Sequence, residues 1–160
     1  VNVTFDHDAL DRELARDEGL RLQVYRCTSD KLTIGIGRNL DDVGIHKGET
    51  AVLGITKESC IKNGITKHEA LVLFSNDVAN CCRDLDRRLP WWRTLTDARQ
   101  RVLVNMCFNM GIARLAKFVN TLAMIEAGKY DAAAKGMLNS LWAKQVGARA
   151  RRLATMMERG

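Results

Sequence analysis

From Thr66 to Leu89 the sequence TKHEALVLFSNDVANCCRDLDRRL contains neither glycine nor proline, and Pro90 follows at once. Thr66 and Glu69 have the spacing of a capping box, in which each side-chain oxygen accepts from the other residue's backbone N–H. Behind them Ala70, Leu73, Phe74, Asp77, Val78, Cys81 and Leu85 fall near one stripe at helical period. A long helix is predicted, and the rest of the chain must be arranged around it.

Upstream, Asp8 is a candidate cap for a short helix carrying Leu10 and Leu14, with Phe5 under its first turn. Gly19 suits the left-handed residue that closes such a helix. LRLQVYR then alternates, which would put Leu20, Leu22 and Val24 on one face. TSDK reads as a turn, and LTIGIG as a second strand with Ile34 and Ile36 inward. Residues 40–64 show no clear period and read as loop with possible short strands.

Downstream, Thr94-Leu95-Thr96-Asp97 opens a helix with Val102, Leu103, Met106 and Met110 as its stripe and Gly111 as its stop. Further helices fit 115–127, closed by Gly128, then 130–142 and 147–158. Trp142 falls in a helical stripe and reads as core. Trp91 and Trp92 read as a loop packed on this second part. The expected fold is α+β and predominantly helical: a small α/β lobe over 1–65, a connecting helix over 66–88 and an all-helical lobe over 89–160, in one domain.

Lys and Arg exceed Asp and Glu by 25 to 19, a net charge of +6 that favours polyanionic partners: nucleic acid, anionic lipid or a charged wall polymer. No nucleic-acid motif accompanies it. The five cysteines have no zinc-ligand spacing and the three histidines are scattered, so neither metal nor cofactor is expected. The opening residues VNVTFDHDALDRELARDEG hold no apolar stretch of signal-peptide length. No stretch approaches the roughly 20 apolar residues of a membrane span.

Glu18 ends the first predicted helix, where the helix dipole and apolar neighbours such as Leu14 and Leu20 both favour the protonated acid. A protonated glutamate near neutral pH suits a general acid; the other reading of Glu18 is an ordinary surface glutamate. Glycoside hydrolysis needs such an acid and a second group that activates water or attacks the sugar. Cys27, at the end of the first strand, offers a thiolate for that task, or is a small apolar filler. Thr33 offers a hydroxyl, or only β-propensity.

The run Glu18, eight residues, Cys27, five residues, Thr33, then Ile34-Gly35-Ile36-Gly37, with DEGLRL and Tyr25, resembles the catalytic signature of the phage-type (T4-like) lysozymes, a glycoside hydrolase family. ITKHEALVLFSNDV, NMCFNMG, FVNTL and GKYDAAAKGMLNSLW extend the resemblance from about residue 8 to 153. Within the family the chain is similar to the subset with cysteine where most members have aspartate.

The resemblance implies the lysozyme-like fold and an endolysin muramidase. Such an enzyme hydrolyses the β-1,4 bond between N-acetylmuramic acid and N-acetylglucosamine in peptidoglycan. Glu18 would be the general acid, Cys27 the base or nucleophile, and Thr33 the residue that places the water or second group. Phe108 and Thr121 match positions lining the saccharide cleft. Asn39 is a candidate for an acetamido sugar, or simply forms a turn. Gly136 and Leu141 stand where better-known members have polar groups. Arg38 replaces a common histidine, and an Arg38–Asp77 ion pair is predicted. The implied setting is a monomer made in a host cytoplasm and acting on wall glycan strands in the periplasm, dependent on a holin-like membrane protein for passage. An anionic outer-membrane surface is a further possible partner, through the basic helix at 147–158, whose other reading is simple packing on the helical lobe. Three alternatives remain: a lytic transglycosylase, a peptidoglycan-binding protein weakened in catalysis by the absent carboxylate, and a basic nucleic-acid binder.

Overall fold

The computed structural model describes residues 4–160. Two compact units divide the chain. One is Asp11–Ala79; the other is Asn80–Gly160 together with residues 4–10. Both divisions fall inside helices, α1 (His7–Glu18) and α4 (Lys67–Arg88). No helix among the described residues is long and apolar enough to cross a membrane.

The Asp11–Ala79 unit is built on an antiparallel sheet of β1 (Arg21–Arg26), β2 (Leu32–Gly35) and β3 (Arg38–Asn39), in that order. Tyr25 lies opposite Thr33, and Ile34 opposite Arg38. Ile34 and Ile36 point inward, as their alternation predicted. The β1 pattern misleads, however. Leu20 and Leu22 are 42% and 38% exposed. The register slips between Arg21 and Tyr25, and such an irregularity breaks the period of two on which a face assignment depends.

Residues 40–64, expected as loop, form β3's exit and two short helices, α2 (Lys47–Leu53) and α3 (Lys57–Asn63). Their punctuation is local: Thr56 caps α3 by accepting from Ser59 N–H at 3.1 Å, and Gly54 and Gly64 follow the two helices. Seven-residue helices are too short for a hydrophobic period to show, so only capping residues mark them. The unit's core gathers Ile34, Leu40, Ile55, Cys60, Ile65, Ala70 and Leu73. Gly64 is held against the sheet: Ile65 N–H donates to Leu22 O at 2.8 Å, and a Cβ on Gly64 would lie 2.4 Å from that same oxygen.

Helix α1 starts two residues earlier than expected. Asp6, not Asp8, accepts from Ala9 N–H at 3.1 Å. Its end is as predicted, at Gly19, whose φ of 75° is left-handed. The Thr66–Glu69 capping box is formed in both directions, at 2.8 and 3.1 Å.

In the other unit, Pro90–Thr94 is a short 3-10 helix, with Trp92 fully buried and its indole N–H donating to Asp86 at 2.8 Å. α5 (Asp97–Met110) is capped by Thr96 and ends at Gly111. It is buried from Val102 to Cys107 without a break, the mark of a helix surrounded by others. After it come α6 (Ile112–Leu115), α7 (Val119–Glu126), α8 (Tyr130–Leu138), α9 (Leu141–Val146) and α10 (Ala148–Arg159), with α6 and α10 packed on α5 and α8 packed on α7 and α10. The expected helix over 130–142 is thus two. Ser140 breaks it by accepting from Ala143 N–H at 3.1 Å, which caps α9. Trp142 is buried, as its stripe predicted, and its indole N–H donates to Asn109 at 2.7 Å.

α10 ends on a buried cation. Arg99 donates from Nε to Met157 O at 2.7 Å and from Nη2 to Glu158 O at 3.0 Å, and its guanidinium lies 3.4 Å from the centre of the Tyr130 ring. Carbonyls left over at a helix C-terminus are thereby satisfied.

Candidate functional site

Glu18, Cys27 and Thr33 all belong to the Asp11–Ala79 unit. Glu18 is the last residue of α1 and is half-buried. Leu14 behind it is fully buried, but Leu20 is turned to solvent and does not shield it. Cys27 follows β1 directly and opens the turn to β2. Thr33 is the second residue of β2 and is buried.

The turn wraps around the Cys27 sulfur. Cys27 N–H donates to Lys31 O at 3.0 Å, Asp30 N–H donates back to Cys27 O at 2.9 Å, and Asp30 takes a left-handed φ of 58°. Burial opposes ionisation of the thiol. Hydrogen bonds to its sulfur from the Lys31 and Ser29 backbones and from the Thr33 hydroxyl outweigh that, and its pKa is lowered. Thr33 also donates to Lys31 O at 2.9 Å. A hydroxyl has one proton, so it serves the carbonyl beside a neutral thiol and turns to the sulfur beside a thiolate.

Tyr25 ties these groups together. Its phenol pKa is raised by burial first, then by the Glu18 carboxylate, with Arg21 acting against and Cys27 with the increase. The Arg21 guanidinium lies 4.8 Å from the centre of the Tyr25 ring. Glu18, Tyr25, Cys27 and Thr33 therefore form one neighbourhood. The sequence offered Tyr25 only as a letter in a motif. Its place opposite Thr33 in the sheet brings it there.

The Arg38–Asp77 pair is present, with Nε and Nη2 each 3.0 Å from a carboxylate oxygen. The sequence reading missed its second acid. Glu49, at the start of α2, takes two bonds of 2.8 Å from the same guanidinium, and Gly44 O accepts a fifth at 3.0 Å. This cluster fastens β3 to α2 and α4.

The candidate sugar contacts divide. Asn39 spends both ends of its amide in a turn: Nδ2 donates to Asp42 Oδ2 at 3.0 Å and Oδ1 accepts from Asp42 N–H at 2.8 Å. Phe108, half-buried on α5, and Thr121, buried on α7, belong to the other unit. There Gly136 of α8 leaves room for Thr121, since a Cβ on it would lie 2.6 Å from the Thr121 hydroxyl. All five cysteines are free thiols, and Cys27 alone of them is not buried.

Residues 15–159 match the sequence profile of the family described as Phage lysozyme. Over 157 residues the chain is 37% identical to the pre-baseplate central spike protein Gp5 of Enterobacteria phage T4, a match covering 92% of this chain and 27% of that protein. It is 29% identical over 158 residues to probable T4-type lysozyme 1 of Dictyostelium discoideum, and 31% identical over 160 residues to probable T4-type lysozyme 2 of the same organism. Each of these two matches covers 92% of both proteins. The chain thus spans about a quarter of the spike protein, and nearly all of the two lysozymes.

Proposed function

This chain belongs to the phage lysozyme family, a family of lysozymes, and on that premise we propose that it is an endolysin-type muramidase. It hydrolyses the β-1,4 bond between N-acetylmuramic acid and N-acetylglucosamine in peptidoglycan, and so brings about lysis of a bacterial host. The observation that carries the residue assignment is the neighbourhood of Glu18, Tyr25, Cys27 and Thr33, with the Cys27 thiol eased toward its thiolate.

Glu18 gives its proton to the glycosidic oxygen as the bond to the anomeric carbon breaks. The Cys27 thiolate takes a proton from water, whose oxygen joins that carbon, or attacks the carbon itself and is later displaced by water. Thr33 steadies the thiolate in either course. Phe108 and Thr121 contribute to the glycan-binding surface. Asn39 contributes there only by giving up its turn. A holin-like protein that opens the membrane gives access to the wall.

Clearing of chloroform-treated Gram-negative cells tests the reading. The wild type clears them, and Glu18→Gln does not. A wild type that binds walls but clears nothing points to a binding protein. Mass spectrometry of the muropeptides reads the reaction type, since a dominant product one water short is that of a transglycosylase.

One observation favours a second setting for the same chemistry. The 37% match to the spike protein Gp5 occupies only 27% of that protein, which fits a lysozyme module carried by a larger phage structural protein. Mass spectrometry of purified particles separates the two, because a lysis enzyme is absent from them and a spike module is present.

A further inference from the structure

The net charge is not spread along the chain. Residues 1–110 hold sixteen Lys and Arg and sixteen Asp and Glu, whereas residues 111–160 hold nine against three. All of the +6 therefore resides in α6 to α10. Within that stretch no acidic residue lies between Gly111 and Ile125, or between Ala132 and Met157.

These two acid-free segments meet at one corner. The Phe118 and Trp142 rings pack edge to face with centroids 6.3 Å apart, Arg114 donates to Gln145 at 3.5 Å, and Gly136 abuts Thr121. The contacts join the start of α7 to the end of α8 and to α9. Arg114, Lys117 and Lys144 stand exposed there. Among them lie Val119, Leu138 and Leu141, exposed by 68%, 44% and 69%.

The basic helix α10, the sequence's own candidate for such a surface, has no apolar face to offer. Leu153, Ala154 and Met157 are buried in the unit, and Arg149 is buried against Asn105, to which its Nε donates at 2.9 Å. Packing, not display, accounts for its amphipathic pattern.

We propose that the α7–α8–α9 corner docks on an anionic phospholipid surface. Cations without neighbouring acids suit any polyanion. The interleaved apolar side chains select lipid, because a bilayer presents an acyl layer just beneath its phosphates and a hydrated wall polymer does not. Arg114, Lys117 and Lys144 sit at headgroup depth, and Val119, Leu138 and Leu141 enter the boundary below. The corner borders Thr121, so lipid docking and the glycan contact proposed above share one edge, and the test below reads them apart.

The test is co-sedimentation of the whole chain with vesicles of phosphatidylcholine, with and without phosphatidylglycerol. The wild type binds the anionic vesicles, and less so as salt is raised. Arg114→Gln/Lys117→Gln/Lys144→Gln lowers the partition by roughly fivefold per charge removed. Val119→Ser/Leu141→Ser lowers it at every salt concentration. A control with the same charge change in the other unit, Lys47→Gln/Lys62→Gln/Lys67→Gln, stays near wild type. Thermal unfolding verifies that each variant is folded. Equal loss in the control would reduce the effect to net charge and overturn the proposal. So would equal binding to neutral vesicles. A corner variant that loses purified peptidoglycan while keeping vesicles would also overturn it and assign the surface to the wall.

Discussion

Arg38 and Glu49 share two hydrogen bonds of 2.8 Å, with side chains only 1% and 5% exposed. Asp77 takes the guanidinium's Nε–H, Gly44 O a proton of Nη1 and Leu73 O one of Nη2, so each of the five N–H groups of Arg38 has an acceptor. Asn76 and the His46 N–H complete the coordination of Glu49, each at 2.9 Å. A fully satisfied planar fork of this kind fixes the direction of β3, and through it β2, on which Thr33 sits.

Removing one acid leaves the buried cation short of countercharge. Glu49→Gln is expected to lower the unfolding free energy by about 3 kcal/mol, the scale for breaking a buried pair from one side. Urea denaturation measures it. A change below about 0.5 kcal/mol, the scale of an ordinary surface substitution, would mean the pair carries little of the fold.

The pair also sets the acid limb of stability. Burial raises the Glu49 pKa, but bonds from Arg38, Asn76 and His46 N–H prevail and hold it at about 2, against an ordinary 4.5. The folded value is the lower one. Its stabilisation is therefore complete above pH about 4.5 and is lost as pH falls through about 2. Asp77 works the other way: burial, exceeding the pull of Arg38, raises its pKa, so its contribution is present at low pH and lost as pH rises through the folded value. Glu49 governs the net slope below 4. The gap between wild type and Glu49→Gln in urea midpoint should be widest near neutral pH, narrow below about 4.5 and close only as pH falls below about 2. A gap independent of pH would refute the assignment.

Most of this cluster was hidden in the sequence for a physical reason. Arg38 and Asp77 stood out through the family resemblance, Arg38 directly after the Gly-rich run and Asp77 in the stripe of the long helix. Glu49 did not, because α2 is seven residues long and its first turn starts at His46 rather than at a Ser or Thr cap. The same reason explains α3, and the split of 130–142 by Ser140. By contrast, Thr66–Glu69, Gly19, Thr96 and Gly111 are local devices and fell where their chemistry requires. The exposed side of β1 was misread because a slipped register cannot be seen in a single strand. At the candidate site, Glu18, Cys27 and Thr33 were singled out by their match to the family spacing. The turn amides around the sulfur, and the nearness of Tyr25 to both the acid and the thiol, needed three dimensions.

Gly64 offers a sharper stability test than any core residue. Its φ of 71° already excludes most side chains, and an added Cβ would sit 2.4 Å from the Leu22 carbonyl that Ile65 binds. Backbone cannot yield there as a side chain would. Gly64→Ala is expected to cost about 1–3 kcal/mol and to loosen β1. Hydrogen exchange should show faster exchange at Ile65 N–H. Unchanged protection there would remove this contact from the account.

The final prediction concerns how a thiol serves beside Glu18. Cys27→Asp should keep substantial activity, since a carboxylate fits either role, and Cys27→Ala should lose roughly a hundredfold or more, the contribution of a positioned base. Thr33→Val separates stabilising the thiolate from filling space. The variant keeps the volume and removes the hydroxyl that helps lower the Cys27 pKa. The fraction of thiolate at neutral pH then falls, and the ascending limb of the rate profile moves to higher pH, because a group whose pKa rises needs more base to ionise. Thiol alkylation followed against pH reads the same shift without turnover. It reports Cys27 because the other four cysteines are buried. If the alkylation curve stays in place while activity drops, Thr33 acts on the water or the sugar and not on the sulfur. Should Cys27→Ala retain full activity, the thiol has no part in the chemistry, and Glu18 works with a partner elsewhere.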